Sequence, residues 1–193
     1  MKNTTSNEIE KPNLKQKLKT SLAFTKNFFV TGAFKETSRA VEVEICKHLP
    51  LEGGQTIVEF GMGHGNITQE ILSRIAPNSK LYAFEINEDF CEYVKENMKD
   101  ERLHIINDGA EQIKKYIQNP VDGIVVSIPF SFLPKEKING LLQDVRDLMT
   151  EKASYSQVLY AKFHVKKINQ FFHCHDYKRI GKFPKEYVYH YRK

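Results

Sequence analysis

Three glycines at alternate positions, in Val58-Glu59-Phe60-Gly61-Met62-Gly63-His64-Gly65-Asn66, constrain this chain more than any other feature. They follow an apolar run over 55–60 and precede 66–76, where Ile67, Ile71, Leu72 and Ile75 recur at helical spacing. A buried strand that stops at glycines and resumes as a helix makes a loop where the backbone turns sharply. A ligand can approach such a loop with no Cβ in the way. Spacing separates the alternatives. A dinucleotide loop reads GxGxxG, whereas here the third glycine comes one residue early, and a P-loop needs a Gly-Lys-Ser/Thr that is missing.

The loop opens a regular alternation. Strands are expected over 55–60, 80–86, 102–107, 121–128 and 156–163, with helices over 66–76, 88–98, 110–117 and 135–149 between them. Pro77-Asn78 stops the first helix, and 121–128 is nearly all apolar, as the centre of a parallel sheet must be. Such alternation implies right-handed crossovers and a sheet covered on both faces. The tail differs: a helix over 165–173, then strands over 177–183 and 186–192 around Pro184, read as an antiparallel closing hairpin. The expected class is therefore α/β, a Rossmann-like, mostly parallel sheet with an antiparallel C-terminal edge. The chain divides into a disordered tail (1–10), amphipathic or lid helices (11–50) and one domain (51–193).

Composition narrows the setting. With 193 residues, 40% hydrophobic and 27% charged, the chain fits one soluble core. No run of 18 apolar residues is present and the first residues lack an apolar signal region, so a cytoplasmic protein is expected. Cys46, Cys91 and Cys174 are widely spaced with no CxxC, which argues against a disulfide framework and for a reducing compartment. His173-Cys174-His175 invites a metal reading, but adjacent residues close a tetrahedral site poorly and no fourth ligand is near in sequence, so no metal is expected. Charge is uneven: residues 1–35 are net +5, 36–154 net −7 and 155–193 net +7. That split points to a catalytic body with basic edges facing phosphates or lipid headgroups, although solvated surface lysines give the same count.

Two acids continue the glycine signal. Glu85 ends the second strand, 20 residues beyond Gly65, where a carboxylate can accept from both hydroxyls of a ribose; Asp108 follows the third strand in Asn107-Asp108-Gly109-Ala110. Each alone reads equally as a helix cap or a solvated turn. Three matches in order, each at the C-terminal end of a strand, favour a ligand site. Glu59 lies inside a buried strand, which is costly unless the acid is paired.

ExGxGxG resembles motif I of class I S-adenosylmethionine-dependent methyltransferases. The resemblance implies S-adenosyl-L-methionine as donor, S-adenosyl-L-homocysteine as product, and a cofactor site of Thr31, Gly32, Glu59, Gly61, Gly63, Gly65, Glu85, Ile86, Asp108, Gly109 and Ala110. It places Glu59 near the methionine amino group, unless that acid only caps the loop, and Asp108 toward the adenine amino group.

After the fourth strand, Ser127-Ile128-Pro129-Phe130 stands where amino-methylating enzymes carry Asn/Asp-Pro-Pro-Tyr, or Asn-Leu-Pro-Tyr in ribosomal RNA adenine dimethyltransferases. A side-chain oxygen and a proline-fixed carbonyl there hold the amine in line with the sulfonium methyl, with an aromatic ring alongside. Serine reproduces an amide or carboxylate only in part. The longer SIPFSFLP (127–134), the segment Val30-Thr31-Gly32-Ala33-Phe34-Lys35-Glu36-Thr37-Ser38-Arg39-Ala40 and the final PKEYVYHYRK resemble bacterial phospholipid N-methyltransferases of the soluble, peripherally bound type. The likeness runs from about residue 24 to the end, with Lys35-Glu36 where proline is usual and Phe183 where an aromatic-Asn is common.

That family implies amine methylation of phosphatidylethanolamine and its products at the inner face of the cytoplasmic membrane. Ser127, Ile128, Pro129, Phe130 and Tyr160 would be its catalytic group, with Tyr160 or His164 near the amine as base candidates. In 11–29, Leu14, Leu18, Leu22 and Phe29 form a stripe with Lys15, Lys19 and Lys26 around it, a helix for an anionic membrane surface or equally one packed over the cofactor. Arg39 is either a lipid-phosphate ligand or a helix-surface salt bridge. The alternatives are an RNA adenine N-methyltransferase, a methyltransferase for another amino-lipid such as ornithine lipid, or a membrane-surface protein that keeps the fold without turnover. Against RNA, the tail carries neither a helical domain nor an obvious RNA-binding module.

Overall fold

The computed structural model describes residues 37–160, 162–181 and 185–193. Among them, one seven-stranded sheet runs in the order β3-β2-β1-β4-β5-β7-β6. Its strands are β1 Thr56–Phe60, β2 Lys80–Phe84, β3 Leu103–Ile106, β4 Val121–Val126, β5 Met149–Leu159, β6 His173–Ile180 and β7 Glu186–Arg192. The first five are parallel, and β7 runs antiparallel between β5 and β6. The α/β sheet with an antiparallel C-terminal edge is the expected architecture.

Alternation along each strand divides the core. Ile57, Leu81, Val125, Val158 and Val188 face α1 (Arg39–Ile45) and α2 (Asn66–Arg74), meeting Val41, Ile45, Ile67 and Ile71. On the same face, Ala83 meets Cys91 and Val94 of α3 (Glu88–Asn97). Val58, Phe60, Phe84, Ile124 and Val126 face the other way, toward Ile113 of α4 (Ile113–Tyr116) and Leu141, Leu142 and Val145 of α5 (Lys135–Leu148). α6 (Val165–Ile168) adds Ile168 to that face. Local signals set the boundaries: Asn87 Oδ1 accepts from Asp89 N at 3.0 Å to start α3, and Glu88 and Asp89 favour its positive end.

Three expectations are corrected. The fifth strand begins at Met149 rather than 156, because the chain passes from α5 straight into the sheet; exposed Glu151 and Lys152 hide the signal, while 153–159 are buried. It ends at Leu159, and Lys162–His164 curl into a 3₁₀ turn. The helix expected over 165–173 shrinks to Val165–Ile168, and β6 starts at His173 rather than 177. There His173-Cys174-His175-Asp176 pairs with β7, with Cys174 opposite Tyr191 and Asp176 opposite His190, a polar pairing without apolar periodicity.

The expected tail (1–10), the lysines Lys15, Lys19 and Lys26, and Thr31 and Gly32 lie outside the described residues. Of the expected helical segment 11–50, residues 37–50 are described and hold α1, with Val41 and Ile45 fully buried. α1 is fastened to the far edge of the sheet by Lys178 Nζ on Glu44 at 2.7 Å.

Candidate cofactor and acceptor site

Register assembles the site. Phe60 pairs with Phe84 and with Val126, and Phe84 pairs with Ile106, so the next residues on four adjacent strands are Gly61, Glu85, Asn107 and Ser127. They form one row at the C-terminal edge, and the chain reverses its direction across the sheet between β1 and β4. A crevice opens at such a point in open α/β sheets.

The glycines do three different things. All have positive φ (+87° at Gly61, +53° at Gly63, +88° at Gly65), a region that other L-residues enter at a cost of about 1–2 kcal/mol. A Cβ on Gly61 would stand 2.7 Å from Ile128 Cγ2 and 2.9 Å from Ser127 Oγ, so this glycine lets β4 press against the loop. A Cβ on Gly65 would meet Val94 Cγ2 at 3.1 Å, so here glycine lets α3 pack closely. A Cβ on Gly63 would meet nothing within 4 Å; it would project into open space above the sheet.

The acids lie in or just after β1, β2 and β3. Glu59 is fully buried, with Oε2 accepting from Thr68 Oγ1 at 2.7 Å and Oε1 without a partner. Burial, with the nearby Glu85 charge adding to it, pushes its carboxyl up to about 8 against the Thr68 hydrogen bond. Glu85 Oε1 accepts from Asn87 N at 2.9 Å and Oε2 from Gly63 N at 3.1 Å; burial raises its pKa although these bonds oppose it. Ile86 beside it is exposed, and Asn107 Nδ2 donates to Glu85 O at 2.9 Å. Asp108 accepts from Gly109 N at 2.8 Å, Tyr116 Oη at 2.8 Å and Lys115 Nζ at 3.1 Å. Burial alone would raise its pKa, but these donors hold it below the usual range. Ala110, buried, starts the 3₁₀ turn Ala110–Gln112.

Ser127 Oγ donates to Gly61 O at 2.6 Å, and Ser127 N to Phe60 O at 2.9 Å. The hydroxyl proton is therefore committed to the loop, and the oxygen keeps lone pairs for an amine N–H. Ser127, Ile128 and Pro129 are half-buried at the edge.

Three expected site residues sit differently. Phe130 is buried in the core cluster, its ring centroid 5.7 Å from that of His164, because it starts the 3₁₀ turn Phe130–Phe132 that folds over the sheet. Tyr160 packs against the cluster under α1 and α2, and burial, with Glu186 adding to it, pushes its phenol up to about 12, which removes it as a base at neutral pH. Arg39 is held by Glu42 at 3.1 Å and by Glu70, so it is a helix-surface ion pair rather than a free phosphate ligand. Sequence reading missed Thr68, Tyr116 and Lys115. Thr68, wholly buried one turn into α2 after a glycine loop, is the one with a readable signal.

An S-adenosylmethionine-type ligand fits this arrangement. The orphaned buried carboxyl oxygen of Glu59 could accept from an ammonium, the Glu85 carboxylate held by Gly63 N and Asn87 N could accept from hydroxyls, and Gly63 leaves open space beside the loop.

Comparisons agree. Residues 57–152 match a family model described as a methyltransferase domain. Ribosomal RNA small subunit methyltransferase H of Flavobacterium johnsoniae is 35% identical over 78 residues, covering 38% of this chain and 25% of that protein. Its counterpart in Flavobacterium psychrophilum is 33% identical over 78 residues, covering 38% and 26%. The chain thus spans about a quarter of the length of the curated relatives it matches. Among solved structures, the N-methyltransferase NodS of Bradyrhizobium japonicum superposes with a TM-score of 0.69 at 9% identity, covering 80% of this chain and 94% of that one. A Streptococcus mutans protein described as a methyltransferase in complex with SAH gives 0.65 at 18%, covering 81% and 98%. An rRNA methylase of Streptococcus thermophilus gives 0.61 at 14%, covering 83% and 99%. At these identities the structural likeness is one of fold.

Proposed function

We propose, from the premise that residues 57–152 are the domain of a class I S-adenosylmethionine-dependent methyltransferase, that this chain methylates an amine nitrogen carried by an anionic partner. The observation that carries the proposal is Ser127, half-exposed at the edge of β4 and hydrogen-bonded to the glycine loop at Gly61. S-adenosylmethionine, when bound, supplies an electrophilic sulfonium methyl. Glu59 and Glu85 would hold its polar groups, and the loop at Gly63 would make room for it. Ser127 Oγ and the backbone carbonyls at Ile128 and Pro129 accept the N–H groups of the acceptor and aim its lone pair. A protonated amine must first lose a proton, and His164, kept neutral by burial next to Phe130, is the group we assign to take it.

The preferred acceptor is the amine headgroup of a membrane phospholipid, phosphatidylethanolamine or its partly methylated products. Segments 127–134, 30–40 and 184–193 support it by resemblance, and the buried Phe130 ring supports an acceptor that needs no stacking platform. Exposed Lys162, Lys166 and Arg179 would meet the anionic surface. No helix among the described residues is long and apolar enough to cross a membrane.

A second reading is methylation of an amino group on RNA, and the comparisons favour it over the lipid: the curated relatives are named as ribosomal RNA methyltransferases. A flipped base would need an aromatic face beside Ser127. One experiment separates the two. The purified chain is given methyl-labelled donor with phosphatidylethanolamine vesicles containing anionic lipid, and separately with ribosomal RNA and small ribosomal subunits. Label in mono-, di- or trimethylated lipid supports the first reading, and label in RNA nucleosides replaces it with the second. Label in neither, with donor binding confirmed, removes both.

A further inference from the structure

Away from the cofactor edge, the fold gathers three histidines and two acids that are dispersed in sequence. His48 lies in the turn after α1, His190 in β7, and His175 and Asp176 in β6. The β6–β7 register shifts between Cys174 and Asp176, which leaves His175 as an extra residue. A bulge of this kind re-aims side chains, and here both His175 and Asp176 come close to His48 and His190. Sequence reading looked for a site within 173–175 and found the neighbours unsuitable. One partner, His48, comes from a turn 128 residues from Asp176, and the other, His190, from the paired strand β7.

We propose that His48, His190 and Asp176 form a binding site for a divalent cation of the Zn²⁺ class, which fastens the turn after α1 to the edge hairpin. One ligand atom from each lies within 4.8 Å of the others. His48 Nε2 and Asp176 Oδ2 are already 3.2 Å apart, close to the edge of about 3.3 Å that ligands at tetrahedral zinc distances span. His190 is the second observation. Its side chain is fully buried, Nδ1 is hydrogen-bonded to Ser156 Oγ at 2.8 Å, and Nε2 has no hydrogen-bond partner. The Ser156 hydroxyl can accept from Nδ1–H, and in that tautomer Nε2 carries the lone pair a metal needs, with Ser156 as the partner that orients the ring. Glu44 Oε1 stands 3.7 Å from His190 Nε2 and adds a negative charge beside the three ligands.

Charge supports a cation. Asp176 accepts from Lys47 Nζ at 2.7 Å and Glu44 from Lys178 Nζ at 2.7 Å, and both lysines are at least half exposed. The lysines therefore stand in for the metal charge and can withdraw into solvent when it binds. No atom beyond the cation and its ligands is needed, and the donor set of imidazole and carboxylate suits a borderline divalent ion.

The test uses the full chain without an affinity tag, stripped by a chelator and titrated with Zn²⁺ against a colorimetric competitor. One Zn²⁺ per chain and a higher melting temperature with Zn²⁺ are expected. His48→Gln and Asp176→Asn, at partly exposed positions, should lose both effects while keeping the metal-free melting temperature and S-adenosylhomocysteine binding. Ser156→Ala should weaken Zn²⁺ by about 10–100-fold, and Lys47→Gln should tighten it by removing the competing ammonium. No stoichiometric Zn²⁺ in the wild-type chain overturns the proposal. So does wild-type affinity in the first two variants, which would place the ion on other thiols or histidines.

Discussion

At the scale of single residues, the three glycines look alike in sequence but answer to different neighbours. Gly63→Ala places a methyl in open space, so it should lower S-adenosylhomocysteine affinity at least about tenfold, equal to about 1.4 kcal/mol, while the backbone penalty lowers the melting temperature only modestly. Isothermal titration beside thermal unfolding checks this, and unchanged affinity would remove Gly63 from the cofactor cradle. Glu59 gives a pH signature. Its folded pKa of about 8 exceeds the ordinary value of 4.5, so below pH 4.5 the carboxyl is neutral in both states. As pH rises toward 8, the unfolded chain releases the proton while the folded one keeps it, and the ligand-free protein loses stability, by up to about 1.4 kcal/mol per pH unit. Glu59→Gln should lack this slope, gaining on the wild type in denaturant midpoint from about pH 5 to pH 8, while binding donor more weakly. Parallel pH curves for the two proteins would show that Glu59 is not the buried acid described. Ser127→Ala removes the clasp on Gly61 and, on the proposed reading, an acceptor for the amine, so turnover should fall about tenfold or more with little change in donor affinity; an unchanged rate would place Ser127 outside the reaction.

At the scale of elements, α1 belongs to the sheet's packing rather than to a detachable segment. Ile45 is fully buried among Ile57, Val158 and Val188, and Ile45→Ala should cost about 2–5 kcal/mol in chemical denaturation. A cost near zero would mean that α1 docks only loosely. The hairpin β6–β7 is the other element that sequence periodicity placed only in part. β7 alternates clearly and was found where expected, whereas β6 is exposed along most of its length and begins in a polar run. An edge strand that is mostly exposed has no apolar pattern to announce it, and its pairing with β7 marks its start.

Across the whole molecule, the uneven charge becomes a geometric statement. Exposed Lys162 lies over the Tyr187 ring of β7, Arg179 is in the edge strand β6 and Lys166 is in α6, while the acidic stretch 36–154 holds Glu59, Glu85 and Asp108. On the lipid reading proposed above, a Lys162→Glu, Lys166→Glu, Arg179→Glu triple variant should bind anionic vesicles about 100-fold more weakly than the wild type at low salt, at about 1 kcal/mol or more per charge. The deficit should shrink as added salt shortens the Debye length toward about 8 Å. Vesicle sedimentation across a salt series measures it; equal binding by both proteins would remove these three residues from the contact, and no binding by the wild type would remove the anionic surface as a partner.

The strand–glycine–helix order, the parallel alternation and the acids Glu59, Glu85 and Asp108 were legible in the sequence, because each depends on local spacing along the chain. Backbone turns, helical faces and buried strands leave their marks within a few residues. Only the tertiary structure decided what those residues meet. It set Phe130 into the core, tied Arg39 to Glu42 and Glu70, paired Thr68 with Glu59, and brought His48 to Asp176 and His190. These contacts join positions from different elements, and register and crossover fix them rather than any pattern in neighbouring residues.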